Sequence, residues 1–182
     1  MGVLFVCTGN QCRSPMAAAL LRHRLRQLGT PVTVASAGFV TEDVPAPPEV
    51  LEAMAAVGLD LSDHRSRLVT PALLGDADLI VGMTRQHLID LTLLAPPAWD
   101  RCFTFADLVR RGESADARRP SEGLRQFGRR LSAGRTRASV LNLPASDDFP
   151  DPMGGRRVDY ERARDDLVRL TGRLGALLSP SA

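Results

Sequence analysis

The most constraining feature of the sequence is a short apolar run that leads through a polar loop into a helix. Residues 2–6 are continuously apolar, as expected of a strand buried on both faces of a parallel sheet. The polar loop 7–13 follows, and Ser14-Pro15 then offers an N-cap residue with proline at the first helical position. An apolar stripe predicts that the helix continues to about residue 28. This strand–loop–helix unit favours an α/β fold.

The rest of the chain continues the alternation of strand and helix. Strands are predicted at 32–37, 78–83 and 101–105, and helices at 48–57, 85–94 and 122–131. A regular apolar stripe predicts a closing helix, with Ala163, Leu167, Leu170, Leu174 and Leu177 on its buried face. Such alternation indicates a parallel sheet, and parallel sheets bind ligands beyond the carboxyl ends of their strands.

The length of 182 residues predicts a single domain over 1–182. Residues 112–146 are the least regular and are rich in Arg, Ser and Gly, so we interpret them as an insertion within that domain. The arginines of this insertion are predicted to lie on a solvated surface: Arg118, Arg119, Arg125, Arg129, Arg130, Arg135 and Arg137.

Composition narrows the function classes. The formal net charge of +2 does not by itself indicate a nucleic-acid partner. The N-terminal segment lacks the basic region of a signal peptide, and no stretch approaches the roughly 18 apolar residues of a membrane span. A cytoplasmic location is therefore predicted, with no membrane partner and with the three cysteines kept as thiols.

The first loop has the composition of an anion-binding site. In order it contains Cys7, Thr8, Gly9, Asn10, Gln11, Cys12, Arg13 and Ser14. Its backbone N–H groups and the positive end of the helix can surround a phosphate dianion, which Arg13 can hold by two oxygens. Gly9 permits a positive φ and Asn10 tolerates one. The same field favours an anionic sulfur at Cys7, which could attack phosphorus, and Ser14 can donate a hydrogen bond to that sulfur.

Other interpretations of the loop fit less well. A buried structural cysteine beside a helix start accounts for any one of these residues but not for their combination. A Walker-type nucleotide loop requires a Gly-Lys-Ser/Thr sequence that is absent. Zinc is disfavoured because no second ligand pair follows Cys7 and Cys12. An enzyme that attacks phosphate through Cys7 is therefore the favoured prediction.

The loop, extended through Pro15-Met16-Ala17, resembles the signature of the low-molecular-weight protein tyrosine phosphatases. Further resemblances occur in the family's order: Ser36-Ala37-Gly38, residues 63–67, residues 78–83 and Asp151-Pro152. The resemblance implies a four-stranded parallel sheet flanked by helices and a phosphocysteine intermediate. It also implies no metal or organic cofactor, a phosphorylated protein as substrate, and a cognate protein kinase in the same pathway.

The resemblance also assigns roles outside the loop. A leaving group needs a proton that the cysteine loop cannot supply, and Asp151 is the best candidate among the aspartates of its segment because it matches the family's general acid. His64 is predicted to support the phosphate loop through Asn10. His23 and His87 are predicted to be surface residues.

The two remaining cysteines differ in their predicted roles. Cys12 is either a packing residue or a thiol that resolves oxidised Cys7 as a disulfide, and the family favours the second role. Cys102 lies in a predicted strand and is predicted to be buried and inert.

Two departures from the family leave the substrate open. Gln11 matches neither the bulky aliphatic residue of most phosphotyrosine members nor the threonine of the arginine phosphatases. Met153-Gly154-Gly155 resembles the arginine-phosphatase branch, while Phe39 could supply an aromatic surface. Phosphotyrosine is the predicted substrate and phosphoarginine the alternative; an arsenate reductase or a non-catalytic phosphoprotein-binding module is less favoured.

Overall fold

The computed structural model describes residues 2–179. Its sheet contains four parallel strands, β1 (Val3–Cys7), β2 (Val34–Gly38), β3 (Leu79–Gly82) and β4 (Cys102–Thr104). Their spatial order is β2-β1-β3-β4, so β1 lies inside the sheet with a neighbour on each side. The predicted α/β fold with a four-stranded parallel sheet is thereby confirmed.

Over residues 2–179, eight α-helices connect or follow the strands. They are α1 (Arg13–Gln27), α2 (Pro48–Ala55), α3 (Pro71–Asp76), α4 (Arg85–Leu94), α5 (Phe105–Ser114), α6 (Leu124–Leu131), α7 (Arg137–Leu141) and α8 (Arg157–Leu178). Short 3₁₀ turns occupy Pro96–Arg101 and Ala145–Asp147. Within the described residues, no helix combines the length and the apolar character needed to cross a membrane.

The helices bury both faces of the sheet. Alternate residues of β1 enter different cores because successive side chains of a strand point to opposite faces. Val3, Phe5 and Cys7 face the larger core, formed with α1, α2, α5, α6 and α8, whereas Leu4 and Val6 face the smaller core on the α3, α4 and α7 side. The continuous apolar run at the start of the sequence follows from this burial on both faces.

Most predicted elements are present with shifted ends. Helix α4 has the predicted bounds, and the predicted helix 122–131 begins two residues later as α6. The predicted N-cap at Ser14 is wrong: α1 begins at Arg13, its N-cap position is Cys12, and no side chain caps it. Ser14 instead directs its hydroxyl toward Cys7 and Asn10. Three helices, α3, α5 and α7, were not predicted.

Arginines of the insertion, residues 112–146, form contacts with other parts of the protein that a solvated surface would lack. Arg135 is buried, stacks 4.4 Å from the centre of the Phe103 ring and donates to the Cys102 carbonyl at 2.9 Å. Arg130 forms an ion pair with Glu122 at 2.8 Å. The prediction of a solvated surface is therefore wrong for Arg135, because its guanidinium finds an aromatic face and a carbonyl in place of water.

Candidate active site

The phosphate loop, residues 7–14, joins β1 to α1 at the carboxyl edge of the sheet. Cys7 ends β1, and its sulfur lies 3.0 Å from the Ser14 hydroxyl oxygen. The Asn10 side-chain amide donates to that same oxygen at 2.9 Å. The Ser14 oxygen accepts from Asn10, and its hydrogen can go to the Cys7 sulfur or to the Ala37 carbonyl oxygen, 3.4 Å away. The sulfur is the nearer acceptor at 3.0 Å, and all three residues of this contact, Cys7, Asn10 and Ser14, are buried.

Asn10 holds the loop in shape. It adopts a positive φ of 51° and is fully buried. Its side-chain oxygen accepts from the Arg67 backbone N–H at 3.0 Å, and its carbonyl oxygen accepts from His64 Nε2 at 2.6 Å. Burial lowers the pKa of His64, and the hydrogen bond to Asn10 opposes that shift. The predicted support of the loop by His64 is confirmed, and the positive φ falls on Asn10 but not on Gly9.

A glycine on the neighbouring strand allows the loop to pass close to the sheet. A Cβ atom on Gly38 would lie 2.6 Å from the Asn10 nitrogen and 2.8 Å from the Thr8 carbonyl oxygen. Such separations are shorter than van der Waals contact, and both obstructing atoms belong to the backbone. The Thr8 carbonyl also accepts from the Phe39 N–H at 2.7 Å. Gly38 is therefore required by the close approach of two backbones.

Three residues predicted to share the chemistry meet at one cavity. Asp151 lies 138 residues from Arg13 in sequence, yet a carboxylate oxygen of Asp151 is 2.5 Å from an Arg13 guanidinium nitrogen. The Arg13 side chain is only 6% exposed, whereas that of Asp151 is 43% exposed. Both residues line, together with Cys7, a cavity of about 270 Å³. The cavity is also lined by Thr8, Gly9, Gln11, Cys12, Val40, Thr41 and Met153.

Asp151 belongs to a second loop, residues 147–152, which we call the acid loop. Asp147 is buried and accepts from both terminal nitrogens of Arg110 at 2.8 and 2.9 Å. Asp148 accepts from the backbone N–H of Arg85 at 2.7 Å and from its guanidinium at 3.1–3.2 Å. Of the three aspartates in the loop, only Asp151 lines the cavity, so the other two are anchors.

The pKa of Asp148 agrees with these contacts. Partial burial raises the pKa of Asp148, but hydrogen bonds from the Arg85 side chain and backbone outweigh burial and hold it below its usual value. The carboxylate is therefore ionised at neutral pH. A backbone hydrogen bond from Phe149 N–H to the Met83 carbonyl, at 2.7 Å, fixes the loop beside the end of β3.

His87 is a site residue that the sequence prediction missed. It was predicted to lie on the surface, but it is buried, and its Nε2 lies 3.1 Å from the Thr8 hydroxyl oxygen. Thr84 and His87 form a capping box at the start of α4, which turns the imidazole inward. Burial, followed in size by the charge of Arg13, lowers the pKa of His87 to about 4. The Thr84-x-x-His87 spacing at a predicted helix start is the signal that could have revealed it.

The ten residues that line the cavity include no aromatic side chain. Phe39, predicted to offer an aromatic surface, stacks on His87 with ring centres 5.9 Å apart and planes 9° apart, and it does not line the cavity. The exposed large apolar side chains beside the cavity are Val40 and Met153, at 66% and 45% exposure. Gln11 donates its amide to the Pro45 carbonyl at 3.4 Å, which turns its carbonyl oxygen toward Gly9.

The other two cysteines are buried free thiols. Burial, together with the negative charge of Cys7, raises the pKa of Cys12 well above its usual value. Burial also raises the pKa of Cys102 to about 12, consistent with its predicted inertness. Over residues 2–179 no group of three or more His, Cys, Asp or Glu side chains is placed to hold a metal ion.

Residues 2–137 match the family model described as low molecular weight phosphotyrosine protein phosphatase. The chain belongs to this family. Its members are cysteine-dependent phosphatases that act on phosphorylated proteins, and the predicted family resemblance is thereby confirmed. In this phosphatase, Cys7 lines the cavity between the phosphate loop and the acid loop.

Relatives of this phosphatase include proteins named as arginine phosphatases and proteins named as tyrosine phosphatases. It is 37% identical to a protein-arginine-phosphatase of Bacillus subtilis over 98% of this chain and 97% of the relative. It is 32% identical to the low molecular weight protein-tyrosine-phosphatase Etp of Escherichia coli over 66% of this chain and 79% of the relative. A solved structure of the arginine phosphatase YwlE, a mutant with a phosphorylated active-site serine, matches with a TM-score of 0.73 and 31% identity, covering 96% of this chain and 93% of that one.

Proposed function

We propose that this phosphatase hydrolyses phosphotyrosine in proteins through a phosphocysteine intermediate at Cys7. The observation that carries the proposal is the meeting of Cys7, Arg13 and Asp151 around one cavity, with the Ser14 hydroxyl 3.0 Å from the Cys7 sulfur. A nucleophile, an anion-binding guanidinium and a proton carrier are the groups that phosphoryl transfer without a metal requires.

In the first step the Cys7 thiolate attacks phosphorus and a sulfur–phosphorus bond forms. The bond between phosphorus and the tyrosine oxygen breaks, and protonated Asp151 gives its proton to that oxygen. The backbone N–H groups of residues Thr8, Gly9, Asn10, Gln11, Cys12, Arg13 and Ser14 hold the equatorial oxygens, with the Arg13 guanidinium across two of them. For this contact, the phosphoryl group displaces Asp151 from Arg13.

In the second step water attacks the phosphocysteine. Asp151, now a carboxylate, accepts a proton from the water as the oxygen–phosphorus bond forms and the phosphorus–sulfur bond breaks. The sulfur leaves as a thiolate, and the Ser14 hydroxyl donates a hydrogen bond to it. Inorganic phosphate is released, and both Cys7 and Asp151 return to the states in which they began. The phosphorylated active-site serine in the YwlE mutant structure supports a covalent intermediate at this position.

The shape of the cavity supports phosphotyrosine. Its walls offer the apolar surface of Val40, Met153 and the methylenes of Gln11, against which a ring can pack. A guanidinium would need hydrogen-bond acceptors in that position, and each buried N–H left unpaired costs about 1–3 kcal/mol.

Protein-arginine phosphatase activity is a second candidate function, because two observations favour it. The arginine phosphatase of Bacillus subtilis matches nearly the whole chain, whereas Etp matches two thirds of it. In addition, the Gln11 carbonyl oxygen lies near Gly9 at the cavity rim, where it could accept from a guanidinium.

Matched phosphotyrosine and phosphoarginine peptides test the proposal. We expect a higher kcat/KM on phosphotyrosine for the wild type, and loss of turnover on both peptides for Cys7→Ser. Gln11→Thr should move the preference toward phosphoarginine. A tenfold wild-type preference for phosphoarginine, about 1.4 kcal/mol in transition-state binding, would replace phosphotyrosine as the substrate. Substantial turnover by Cys7→Ser would refute the covalent mechanism itself.

An arsenate reductase and a non-catalytic binding module have less support. An arsenate reductase relays electrons through further thiols, but Cys102, which lies outside the phosphate loop, is buried with a raised pKa. A non-catalytic binding module would not need the Arg13 and Asp151 pair around Cys7. A cognate protein kinase in the same pathway and a cytoplasmic location stay predictions.

A further inference from the structure

The two ring nitrogens of His87 have different hydrogen-bond roles. The backbone N–H of Thr84 donates to Nδ1 at 3.1 Å, so Nδ1 must carry a lone pair. The Thr84 hydroxyl also lies 3.0 Å from Nδ1 and can donate to it. A neutral imidazole with an unprotonated Nδ1 carries its hydrogen on Nε2. Since Nε2 lies 3.1 Å from the Thr8 hydroxyl oxygen, His87 is the donor in that contact.

The Thr8 hydroxyl oxygen receives a second donor. An Arg13 guanidinium nitrogen donates to the same oxygen at 3.4 Å. A hydroxyl oxygen has two lone pairs and one hydrogen, so both lone pairs are used and the hydrogen remains to be donated. Within the described chain, no side-chain or backbone oxygen accepts it, and Thr8 lines the cavity that contains Cys7.

We infer that His87 is a positioning residue that makes Thr8 a hydrogen-bond donor to the phosphoryl group bound above Cys7. The inference rests on the proposed phosphatase mechanism and adds a side-chain donor to the backbone N–H groups of the phosphate loop. Thr8 touches the substrate; His87 acts only through Thr8. A donor aimed at an oxygen that gains negative charge in the transition state raises kcat more than it lowers KM.

The surroundings of His87 keep it neutral for this role. Burial and the positive charge of Arg13 on the phosphate loop disfavour the imidazolium. Asp90 on α4, together with Asp148 and Asp151 on the acid loop, favours the imidazolium, but these three carboxylates do not outweigh the other two effects. If Nδ1 were protonated, its hydrogen would face the Thr84 N–H hydrogen. The hydrogen bond that orients the ring would then be lost.

A double-mutant cycle tests the inference. Thr8→Val removes the hydroxyl, and His87→Phe keeps a ring to stack on Phe39 but removes both nitrogens. On p-nitrophenyl phosphate we expect each variant to lose roughly tenfold in kcat, as for one hydrogen bond of about 1.4 kcal/mol. The double variant should lose no more than about twice what either single variant loses, because His87 acts through Thr8. Losses that multiply to about a hundredfold would overturn the inference.

Rescue and control variants complete the cycle. Thr8→Ser should recover most of the kcat lost in Thr8→Val, because it restores the hydroxyl. His23→Phe, on the far part of α1, should leave kcat unchanged. If Cys7→Ser abolishes turnover while Thr8→Val and His87→Phe retain wild-type kcat, the inference fails and the proposed function stands. If Cys7→Ser retains turnover, the proposed function fails.

A measurement on the wild-type protein tests the inference without requiring that the His87→Phe variant folds. Long-range ¹H–¹⁵N correlation NMR reports which imidazole nitrogen carries the hydrogen. We expect His87 to be neutral and protonated on Nε2 at pH values of about 6–8, in the free protein and with inorganic phosphate bound. Protonation on Nδ1, or on both nitrogens, would overturn the inference.

Discussion

The phosphate loop and the acid loop face the same cavity, but they are held in different ways. The phosphate loop is continuous with β1 and α1, and its central Asn10 is fixed by the Ser14 hydroxyl and the Arg67 backbone N–H. The acid loop is held by ion pairs from the side chains of Arg85 and Arg110. The nucleophile is therefore positioned by a buried network of hydrogen bonds, whereas the loop of the general acid also depends on ion pairs with partly exposed arginines.

The largest effect is expected from changing the anion-binding group of the phosphate loop. Arg13→Lys keeps the positive charge but loses the planar fork that can contact two phosphate oxygens and Asp151. We expect kcat/KM on an aryl phosphate to fall by about 10²–10³-fold, as for loss of a preorganised donor. Arg26→Lys, an exposed position on the same helix, is the matched control. A loss below tenfold in Arg13→Lys would show that the fork is dispensable.

Loss of the Asp151 carboxyl group should lower kcat by a factor that depends on the leaving group. Asp151→Asn removes the proton carrier, and we expect kcat to fall by about a hundredfold for phenyl phosphates with poor leaving groups. The loss should shrink for leaving groups that depart without protonation. A series of substituted phenyl phosphates measures this slope, with Asp165→Asn as a surface control. Equal losses across the series would remove Asp151 from the role of acid.

Acid should weaken the structure around His87. Its pKa is about 4 in the folded protein, against about 6.5 when unfolded, so the unfolded chain binds more protons between these values. The contribution of His87 is fully present above about pH 6.5 and is lost as the pH falls toward 4, up to about 3 kcal/mol. Urea unfolding of wild type and His87→Phe at several pH values measures it. An equal pH dependence in both proteins would contradict this origin.

The tight packing behind the phosphate loop can be broken without replacing a residue of that loop. Gly38→Ala places a methyl group 2.6 Å from the Asn10 nitrogen, and we expect a loss of about 1–3 kcal/mol in the free energy of unfolding. Gly172→Ala, at an open position in α8, should instead stabilise by about 0.5–1 kcal/mol. If both substitutions change the free energy of unfolding in the same direction, the close approach of the two backbones does not require glycine at position 38.

The smallest effect is expected from loosening the acid loop. Arg85→Gln removes the guanidinium contacts to Asp148 and to the Leu143 carbonyl, and it leaves the backbone N–H contact to Asp148 in place. We expect a loss of about fivefold in kcat for poor leaving groups, in line with about 1 kcal/mol for a partly exposed pair. Arg157→Gln removes an exposed helical pair with Glu161 and is the control. An equal loss for good leaving groups would indicate general disorder of the site in place of a displaced acid.

Much of the site could be predicted from sequence because the phosphate loop is local. Cys7, Arg13 and Ser14 lie within eight consecutive residues, and the flanking strand and helix have clear apolar patterns. The partners of the acid loop were not predictable in this way. Arg85 and Asp148 are 63 residues apart, and Arg110 and Asp147 are 37 apart. An Arg-rich chain offers many equivalent partners, and only the fold selects among them.

The missed elements have physical reasons as well. Helix α5 begins at Phe105 directly after β4 ends at Thr104, whose hydroxyl caps the helix. With no loop between them, the apolar start of the helix resembles the end of the strand. His87 was misassigned because burial of a polar ring depends on its hydrogen-bond partners. Thr8, one of the two, is 79 residues away.

The contact between Arg13 and Asp151, at 2.5 Å, has a consequence for the end of each catalytic cycle. In this contact the Asp151 carboxylate accepts from the Arg13 guanidinium, which is the group that binds the phosphate product. Asp151 and the product therefore compete for Arg13. After inorganic phosphate leaves, Asp151 can release to solvent the proton it took from the attacking water, and its carboxylate then returns to the Arg13 guanidinium. The general acid thereby limits product inhibition, and an enzyme with asparagine at position 151 would retain phosphate more tightly while turning over more slowly.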